Sequence, residues 1–254
     1  MSKEPIVACK EAIMVCSVSL QNVHPLAVAS ANQMWYRMGR FAEKHGLTFV
    51  FYAPRRMSID TARNNAVRMA INGGCSYVFF YDDDMDIDPN TFMRLYNKIK
   101  DSDIDAIQAS CVIRGNPFDM MFFKRITKEE KQKELDANPG NEIKLTEDGR
   151  YLTFFNDYAE YIDKDGLVNV EAMGNAMTLY KTSLFEKVSQ PWFKTTVSTE
   201  DVFFCCKARD ELKDNVRFCV DVTLDTGHIL EASVVKPSNV EAFREVAKLY
   251  PEIL

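Results

Sequence analysis

The feature of this sequence that most constrains its fold is an apolar run that leads directly into a cluster of acids. Residues 77–81 (YVFFY) are aromatic or β-branched and predict a short buried strand. Five carboxylates follow within residues 82–88 (DDDMDID). Because like carboxylates repel, they need a cation, a bound proton or water to lie together. Open α/β sheets bind ligands where strands end, so the run predicts a site for a divalent metal that carries a phosphate ligand.

Composition sets limits on the class of protein. The 254 residues are 46% hydrophobic and 27% charged, which suits one α/β domain with a sizeable core. A formal net charge of −6 weighs against a general polyanion binder, although it permits a local basic patch. The seven cysteines lack metal-binding spacing and predict buried free thiols in a reducing compartment. Without a clear signal peptide or a long apolar segment, we expect no membrane span and a cytoplasmic location.

Strands and helices alternate through the first half of the chain. Strands are predicted at residues 12–19, 47–53, 77–81 and 105–113, and the intervening helices at 26–44, 58–72 and after Pro89. Such alternation predicts a mostly parallel central sheet flanked by helices, the architecture of a Rossmann-like nucleotide platform.

The second half is less regular. Residues 124–149 are rich in Lys and Glu and predict a solvated helix followed by a turn or flap. Further strands are expected within 150–156, 167–180 and 216–222, and helices at 181–188, 199–212 and after the capping box Ser238-x-x-Glu241. We therefore predict a single domain over residues 1–254. It comprises a nucleotide-binding half (1–123), a charged insertion or flap (124–166) and an acceptor-binding half (167–254).

Several interpretations of the acid run are open. The DDxxD motif of terpenoid synthases lies on a helix, whereas here the flanks are β-rich and Pro89 follows. An EF-hand would need glycine in place of Ile87 and glutamate in place of Met93. The D-x-D-x-[TV] motif of haloacid-dehalogenase-type phosphatases would need Thr or Val in place of Asp86. A structural acidic turn without function is the remaining alternative.

Together with other segments, the run resembles the D-x-D motif of nucleotide-sugar glycosyltransferases with the GT-A fold. The chain is similar to the large inverting family 2 and its phage-borne relatives, and the resemblance covers residues 60–230. It is carried by DTARNNAVRMAINGG (60–74), YVFFYDDDMDIDP (77–89), EAMGNAMTLYKTSLFEKV (171–188), STEDVFFCCKA (198–208) and DTGHI (225–229). The resemblance implies a metal-dependent enzyme that moves a sugar from a nucleoside-diphosphate sugar to a hydroxyl acceptor.

The resemblance also implies a metal site. Asp84 would ligate Mn²⁺ or Mg²⁺ directly, while Asp82 would contact the ribose or complete the metal shell, and Asp83 would assist either. His228 would be a further metal ligand, the alternative being a structural loop histidine. An ion that bridges the two phosphates neutralises the charge of the leaving group, and carboxylate oxygens suit such an ion.

Other residues receive roles by the same resemblance. Asp201 would be the general base of an inverting reaction, with Glu200 as the alternative; helix capping is the structural interpretation of both. Arg63 would contact the donor, since a guanidinium suits phosphates or sugar hydroxyls; the alternative interpretation is a solvated arginine on a helix surface. The remaining predicted donor contacts are Ser17, Ser19, Gly174 and Asn175.

Four further residues have structural interpretations. Asp86 and Asp88 are expected to belong to the turn and to the next helix cap. Trp192 and Phe193 either form a platform for the acceptor or pack in the core.

The substrates remain open. A UDP-sugar is the favoured donor, and the acceptor is a glycan, a small molecule or modified DNA. The compact form resembles phage and bacterial enzymes, which implies a bacterial or phage-infected host cell. A phage-type DNA glycosyltransferase would need a basic groove, for which Arg55, Arg56, Lys124 and Arg125 are candidates. A nucleotidyltransferase, or a non-catalytic nucleotide-sugar-binding module, are further alternatives.

Overall fold

A seven-stranded β-sheet with helices against it forms the centre of the molecule. The computed structural model describes residues 11–18, 23–54, 57–137, 151–196, 198–230 and 233–249. The strands are β1 (Glu11–Val18), β2 (Leu47–Tyr52), β3 (Tyr77–Asp82), β4 (Met85–Asp86), β5 (Ala106–Ala109), β6 (Phe122–Ile126), β7 (Tyr151–Phe154), β8 (Leu167–Val170), β9 (Ala172–Met173), β10 (Met177–Lys181), β11 (Phe218–Asp221), β12 (Gly227–Ile229) and β13 (Val234–Val235). The helices are α1 (Pro25–His45), α2 (Ile59–Asn72), α3 (Thr91–Ile99), α4 (Lys128–Ala137), α5 (Thr182–Lys187), α6 (Glu200–Glu211) and α7 (Val240–Leu249), with a 3₁₀ turn at Ala159–Tyr161.

The central sheet is mostly parallel, as the sequence predicts. Its strand order is β2-β1-β3-β10-β5-β11-β8. Strands β1, β2, β3, β5 and β11 share one direction, whereas β10 and β8 run the opposite way. The reversed β10 therefore separates β3 from β5 in the middle of the sheet.

Alternating side chains of β3 bind helices to both faces of the sheet. Phe80 belongs to the cluster that contains Ala66 of α2 and Phe185 of α5. Phe79 belongs to the cluster on the other face, where Phe92 of α3 packs against it. Because successive strand side chains point to opposite faces, one apolar run serves two layers of core. Burial on both faces accounts for the continuous hydrophobic character of residues 77–81.

Most predicted elements are confirmed, with ends displaced by a few residues. The fourth predicted strand, 105–113, is an exception, because regular pairing ends at Ala109 and an irregular loop follows. The predicted strand region 167–180 divides into β8, β9 and β10.

The segment predicted as an insertion or flap is tied to the rest of the molecule. Its helix is α4, and residues 138–150 lie outside the described part. Strand β6 pairs with both β7 and β9, so a small three-stranded sheet joins this segment to the part of the chain that follows it. Phe122 and Leu152 lie in the same buried cluster as Phe80.

Two expectations from composition bear on the described residues. Six cysteines there are buried, as predicted; the seventh, Cys9, lies outside the described residues. No helix in the described ranges combines the length and the apolar character needed to cross a membrane.

Candidate functional site

The acid run is split by a tight turn at the end of β3. Asp82 is the last residue of that strand, and its N–H donates to the carbonyl of Ala176 at 2.9 Å. Residues 83–84 form the turn, and the chain re-enters a strand at Met85. Because of this turn, the carboxylates of Asp82 and Asp84 meet different partners.

The partner of Asp84 on one side is His228. Strand β12 pairs antiparallel with β4, and the N–H of Ile229 donates to the Asp84 carbonyl at 2.8 Å. His228 is buried, and its Nε2 lies 3.9 Å from Asp84 Oδ1. Its Nδ1 lies 2.5 Å from the carbonyl oxygen of Val112. Since a carbonyl only accepts, Nδ1 carries the proton and Nε2 presents its lone pair toward Asp84 when the ring is neutral.

The other partner of Asp84 is Arg114, a residue that the sequence does not single out. Its Nη1 donates to Asp84 Oδ2 at 3.0 Å, and its side chain is 63% exposed. Arg114 lies in the loop after β5, and the same loop provides the Val112 carbonyl that orients His228. No recognised motif surrounds Arg114, so the sequence carries no signal for this contact.

Asp84 and His228 offer a carboxylate oxygen and an imidazole nitrogen, two ligand types that divalent ions accept. Neighbouring ligands of an octahedral ion at about 2.1 Å lie about 3 Å apart, so the two side chains, 3.9 Å apart here, would approach each other by about 1 Å on binding one ion. A ring N–H donated to a backbone carbonyl is the usual support of a metal-binding histidine. Among the described residues, no three His, Cys, Asp or Glu side chains form a metal-binding group. Mn²⁺ or Mg²⁺ held by this pair would therefore draw further ligands from water and phosphate.

Asp82 belongs to a buried network centred on Arg63. Arg63 is only 2% exposed, so it is not the solvated helical arginine of the alternative interpretation. Its Nη2 donates to Asp82 Oδ1 at 3.0 Å, and its Nη1 donates to Oε1 of Glu200. These contacts join the first turns of α2 and α6 to the end of β3. The role of Arg63 as a donor contact stays a prediction, because its guanidinium here binds two protein carboxylates.

Burial shapes the charges of this network. The pKa of Glu200 is raised to about 7, by burial above all and then by the neighbouring Asp201, against the opposing effect of Arg63. The pKa of Asp82 is also raised, by burial above all, while Arg63 opposes the shift and Asp84 adds to it. Burial alone would lower the pKa of Arg63, but the carboxylates of Asp82, Glu200 and Asp201 raise it overall. One guanidinium thus balances more than one carboxylate.

The predicted residues Gly174 and Asn175 lie beside Asp201. A Cβ added to Gly174 would lie 2.6 Å from Met121 Cε and at an ordinary contact distance, 3.5 Å, from Asp201 Oδ2, so the Gly174 backbone passes close to this carboxylate. Asp201 Oδ1 accepts the N–H of Val202 at 2.8 Å. Asn175 is fully buried and its Oδ1 accepts the Tyr180 hydroxyl at 2.6 Å, and its role as a donor contact stays a prediction.

Gln108 is a second residue near the site that the sequence does not single out. It is buried on β5, and its Nε2 lies 3.4 Å from the position of the same added Cβ at Gly174. Its Oε1 has no hydrogen-bond partner within the described ranges. Gln108 therefore adds a polar group on the side of Gly174 that Asp201 also faces.

The remaining predicted donor contacts are less informative. Ser17 lies opposite Tyr81 in the pairing of β1 with β3. Asp83 occupies the turn between Asp82 and Asp84 and is partly exposed. Ser19 lies outside the described residues.

The outer acids of the run have structural partners. Asp86 Oδ2 lies 2.6 Å from Lys236 Nζ. Asp88 Oδ1 accepts the N–H of Asn90 at 2.7 Å, just before α3. Both observations agree with the expectation that these acids serve the turn and the helix start.

The two surfaces considered for an acceptor are only partly tested, and one of the two interpretations of Trp192 and Phe193 is confirmed. Trp192 and Phe193 are buried in the core, so they do not form an exposed platform. In the candidate basic groove, Lys124 pairs with Asp157 at 2.6 Å, and Arg125 lies 3.7 Å from a carboxylate oxygen of Glu171. The other two groove candidates, Arg55 and Arg56, lie outside the described residues. The paired groups reduce the positive potential that a DNA acceptor would need.

Comparisons with known proteins bear on the fold. No protein-family model matches the sequence, and no curated protein matches it. The structure is similar to the crystal structure of A197 from STIV, with a TM-score of 0.53 and 15% sequence identity. The match covers 90% of this chain and 91% of that chain. At this identity the likeness concerns the fold, and it extends over nearly the full described architecture.

Proposed function

We propose that this protein is a metal-dependent glycosyltransferase of the GT-A type that transfers a sugar from a nucleoside-diphosphate sugar to a hydroxyl acceptor. The observation that carries the proposal is the approach of Asp84, His228 and the Arg63 network at the end of β3. These residues come from three distant parts of the sequence. A merely structural acidic turn would not require a partly exposed carboxylate opposite a buried, oriented imidazole.

In this proposal, Asp84 and His228 hold the ion and the buried network fixes the strand end. A bound Mn²⁺ or Mg²⁺ would neutralise charge that develops on the departing diphosphate. Asp84 offers its carboxylate at the rim, and His228 offers Nε2 from a ring fixed by Val112. Arg63 holds Asp82 in place by a charged hydrogen bond.

Asp201 is the proposed general base. Its Oδ1 is held by the N–H of Val202, while Oδ2 faces the glycine backbone at 174. Oδ2 would accept the proton of the acceptor hydroxyl as that oxygen attacks the anomeric carbon. Glu200 remains the alternative base, because a pKa of about 7 suits proton transfer near neutral pH, but its Oε1 is held by Arg63.

A panel of nucleotide-sugar donors tests the proposal directly. Purified protein is incubated with UDP-, GDP-, ADP- and dTDP-sugars and either Mn²⁺ or EDTA, and nucleoside diphosphate release is measured. We expect release with at least one donor that depends on the metal and falls about a hundredfold or more in Asp84→Asn. Asp86→Asn is the matched control, since it neutralises an acid of the same run that pairs with Lys236.

Other outcomes would favour the alternatives. If Asp84→Asn kept full activity, the proposed metal site would be wrong. Metal-dependent nucleotide binding without turnover across a broad acceptor panel would favour a non-catalytic binding module. Pyrophosphate release from nucleoside triphosphates would instead favour a nucleotidyltransferase.

A further inference from the structure

We infer that Arg114 binds the diphosphate of the donor, and that its contact with Asp84 is exchanged when metal and nucleotide enter the site. The inference rests on the proposed function and concerns a residue without a role in it so far. Arg114 Nη1 lies 3.0 Å from Asp84 Oδ2, on the carboxylate whose other oxygen faces His228. The guanidinium therefore lies beside the position that an ion bound to Asp84 and His228 would take.

The backbone around Arg114 is well anchored. The N–H of Ile113 donates to the carbonyl of Asp119 at 2.8 Å, and Val112 forms a bridge with Met120. The N–H of Phe118 donates to the Gly115 carbonyl at 2.8 Å. Movement at Arg114 can therefore be confined to its side chain, which leaves the Val112 carbonyl on His228.

The contact with Asp84 is of the kind that exchanges readily. Arg114 is 63% exposed and Asp84 is 32% exposed, and ion pairs at such positions contribute little to stability. Arg114 holds one oxygen of Asp84 by a single nitrogen, so a hard divalent ion can take the carboxylate and leave the guanidinium free.

The negative charge around the site favours a second cation beside the ion, and the released guanidinium can supply it. Asp84 and Asp201 both lie close enough to Asp82 for their charges to act on its carboxylate. Arg63 already binds two carboxylates, those of Asp82 and Glu200. One divalent ion leaves the charge of a diphosphate only partly balanced in such an acidic setting. A guanidinium donates parallel hydrogen bonds to phosphate oxygens, so Arg114 supplies the second cation beside the ion.

Two affinities that Arg114→Ala is expected to change in opposite directions, for Mn²⁺ and for the diphosphate, test this inference. Calorimetry compares wild type, Arg114→Ala and Arg114→Lys with Mn²⁺ alone, and then with UDP, GDP, ADP and dTDP and their monophosphates in saturating Mn²⁺. For Arg114→Ala we expect Mn²⁺ alone to bind severalfold tighter, because a competitor for Asp84 is gone. The best-binding diphosphate should bind about tenfold more weakly, its monophosphate should change less, and Lys should restore part of the affinity.

Arg217→Ala is the control, since Arg217 also pairs with an aspartate, Asp103, but precedes β11 and so lies at the opposite end of the parallel strands. It should leave both affinities unchanged. Equal affinities in wild type and Arg114→Ala, or losses for both metal and diphosphate, would overturn the inference. Wild type without any Mn²⁺-dependent nucleotide binding would overturn the proposed function as well, which separates the two failures.

Discussion

The two key acids of the run each pair with an arginine, and the two pairs differ in almost every physical respect. Arg63 is buried, contacts both Asp82 and Glu200, and joins two helices to a strand. Arg114 is mostly exposed and donates to Asp84 from a single nitrogen. A buried charge that loses its partner is costly, whereas an exposed pair contributes little. The first pair therefore serves as a framework, and the second leaves Asp84 available to a ligand.

The largest expected effect separates these two arginines by stability. Arg63→Met should lower the free energy of unfolding by about 3–5 kcal/mol, because the buried Glu200 and the half-buried Asp82 would lose their cation. Arg114→Ala should change it by less than about 1 kcal/mol. Urea unfolding followed by circular dichroism measures both. Equal losses in the two variants would remove the contrast between framework and exchangeable pair.

The pH dependence of stability probes the framework further. The folded pKa of Glu200, about 7, lies above its ordinary value of 4.5, so the folded state binds this proton more tightly. The stabilisation is complete below about pH 4.5 and is lost as pH rises through 7, by about 3 kcal/mol at most. Glu200→Gln should remove this component. We expect the stability difference between wild type and variant to change across pH 4.5–7 and to stay constant above about pH 8.

A smaller effect is expected when His228 is removed from the proposed metal site. His228→Ala should weaken Mn²⁺ binding about tenfold to a hundredfold, since Asp84 would lose its companion ligand. His45→Ala is the control, because that residue ends α1 and stacks on Phe41. Calorimetric titration with Mn²⁺ gives both values. An unchanged affinity in His228→Ala would make the histidine a structural residue.

The smallest expected effect tests whether the acids of the run are equivalent. Asp86→Asn should change Mn²⁺ affinity less than about twofold and stability by less than about 0.5 kcal/mol, because it removes only a surface pair with Lys236. The same titration and urea unfolding measure it. A loss as large as that of His228→Ala would show that the metal site extends beyond the turn.

The sequence indicated much of the fold because its long elements carry periodic patterns. The apolar run of β3 and the helical spacing of α1 and α2 are visible without a structure, and so is the acid cluster that follows β3. The position of β10 is not visible. Gly174-Asn175-Ala176 interrupts the strand-like stretch over residues 167–180, but the interruption does not indicate that the chain then enters the sheet in reverse between β3 and β5.

The site was only partly predictable for a related reason. Strands β4 and β12 have two and three residues, too few for any periodicity, yet their pairing brings His228 to Asp84. The Arg63–Glu200 contact joins residues 137 positions apart, and Arg114 stands in a loop without a motif. Residue types indicated a metal and a base, but the choice of partner for each carboxylate depends on tertiary pairing.

The place of β10 has a consequence for how the molecule is made. This strand lies between β3 and β5 although the ribosome adds it long after both. A chain that ends before residue 177 would hold two strands whose facing edges lack their partner, and open edges invite association with other chains. The N–H of Asp82 also finds its acceptor only when Ala176 arrives. The acid cluster thus reaches its final position late in synthesis, and the first half of the chain on its own would lack both this strand and the Ala176 carbonyl.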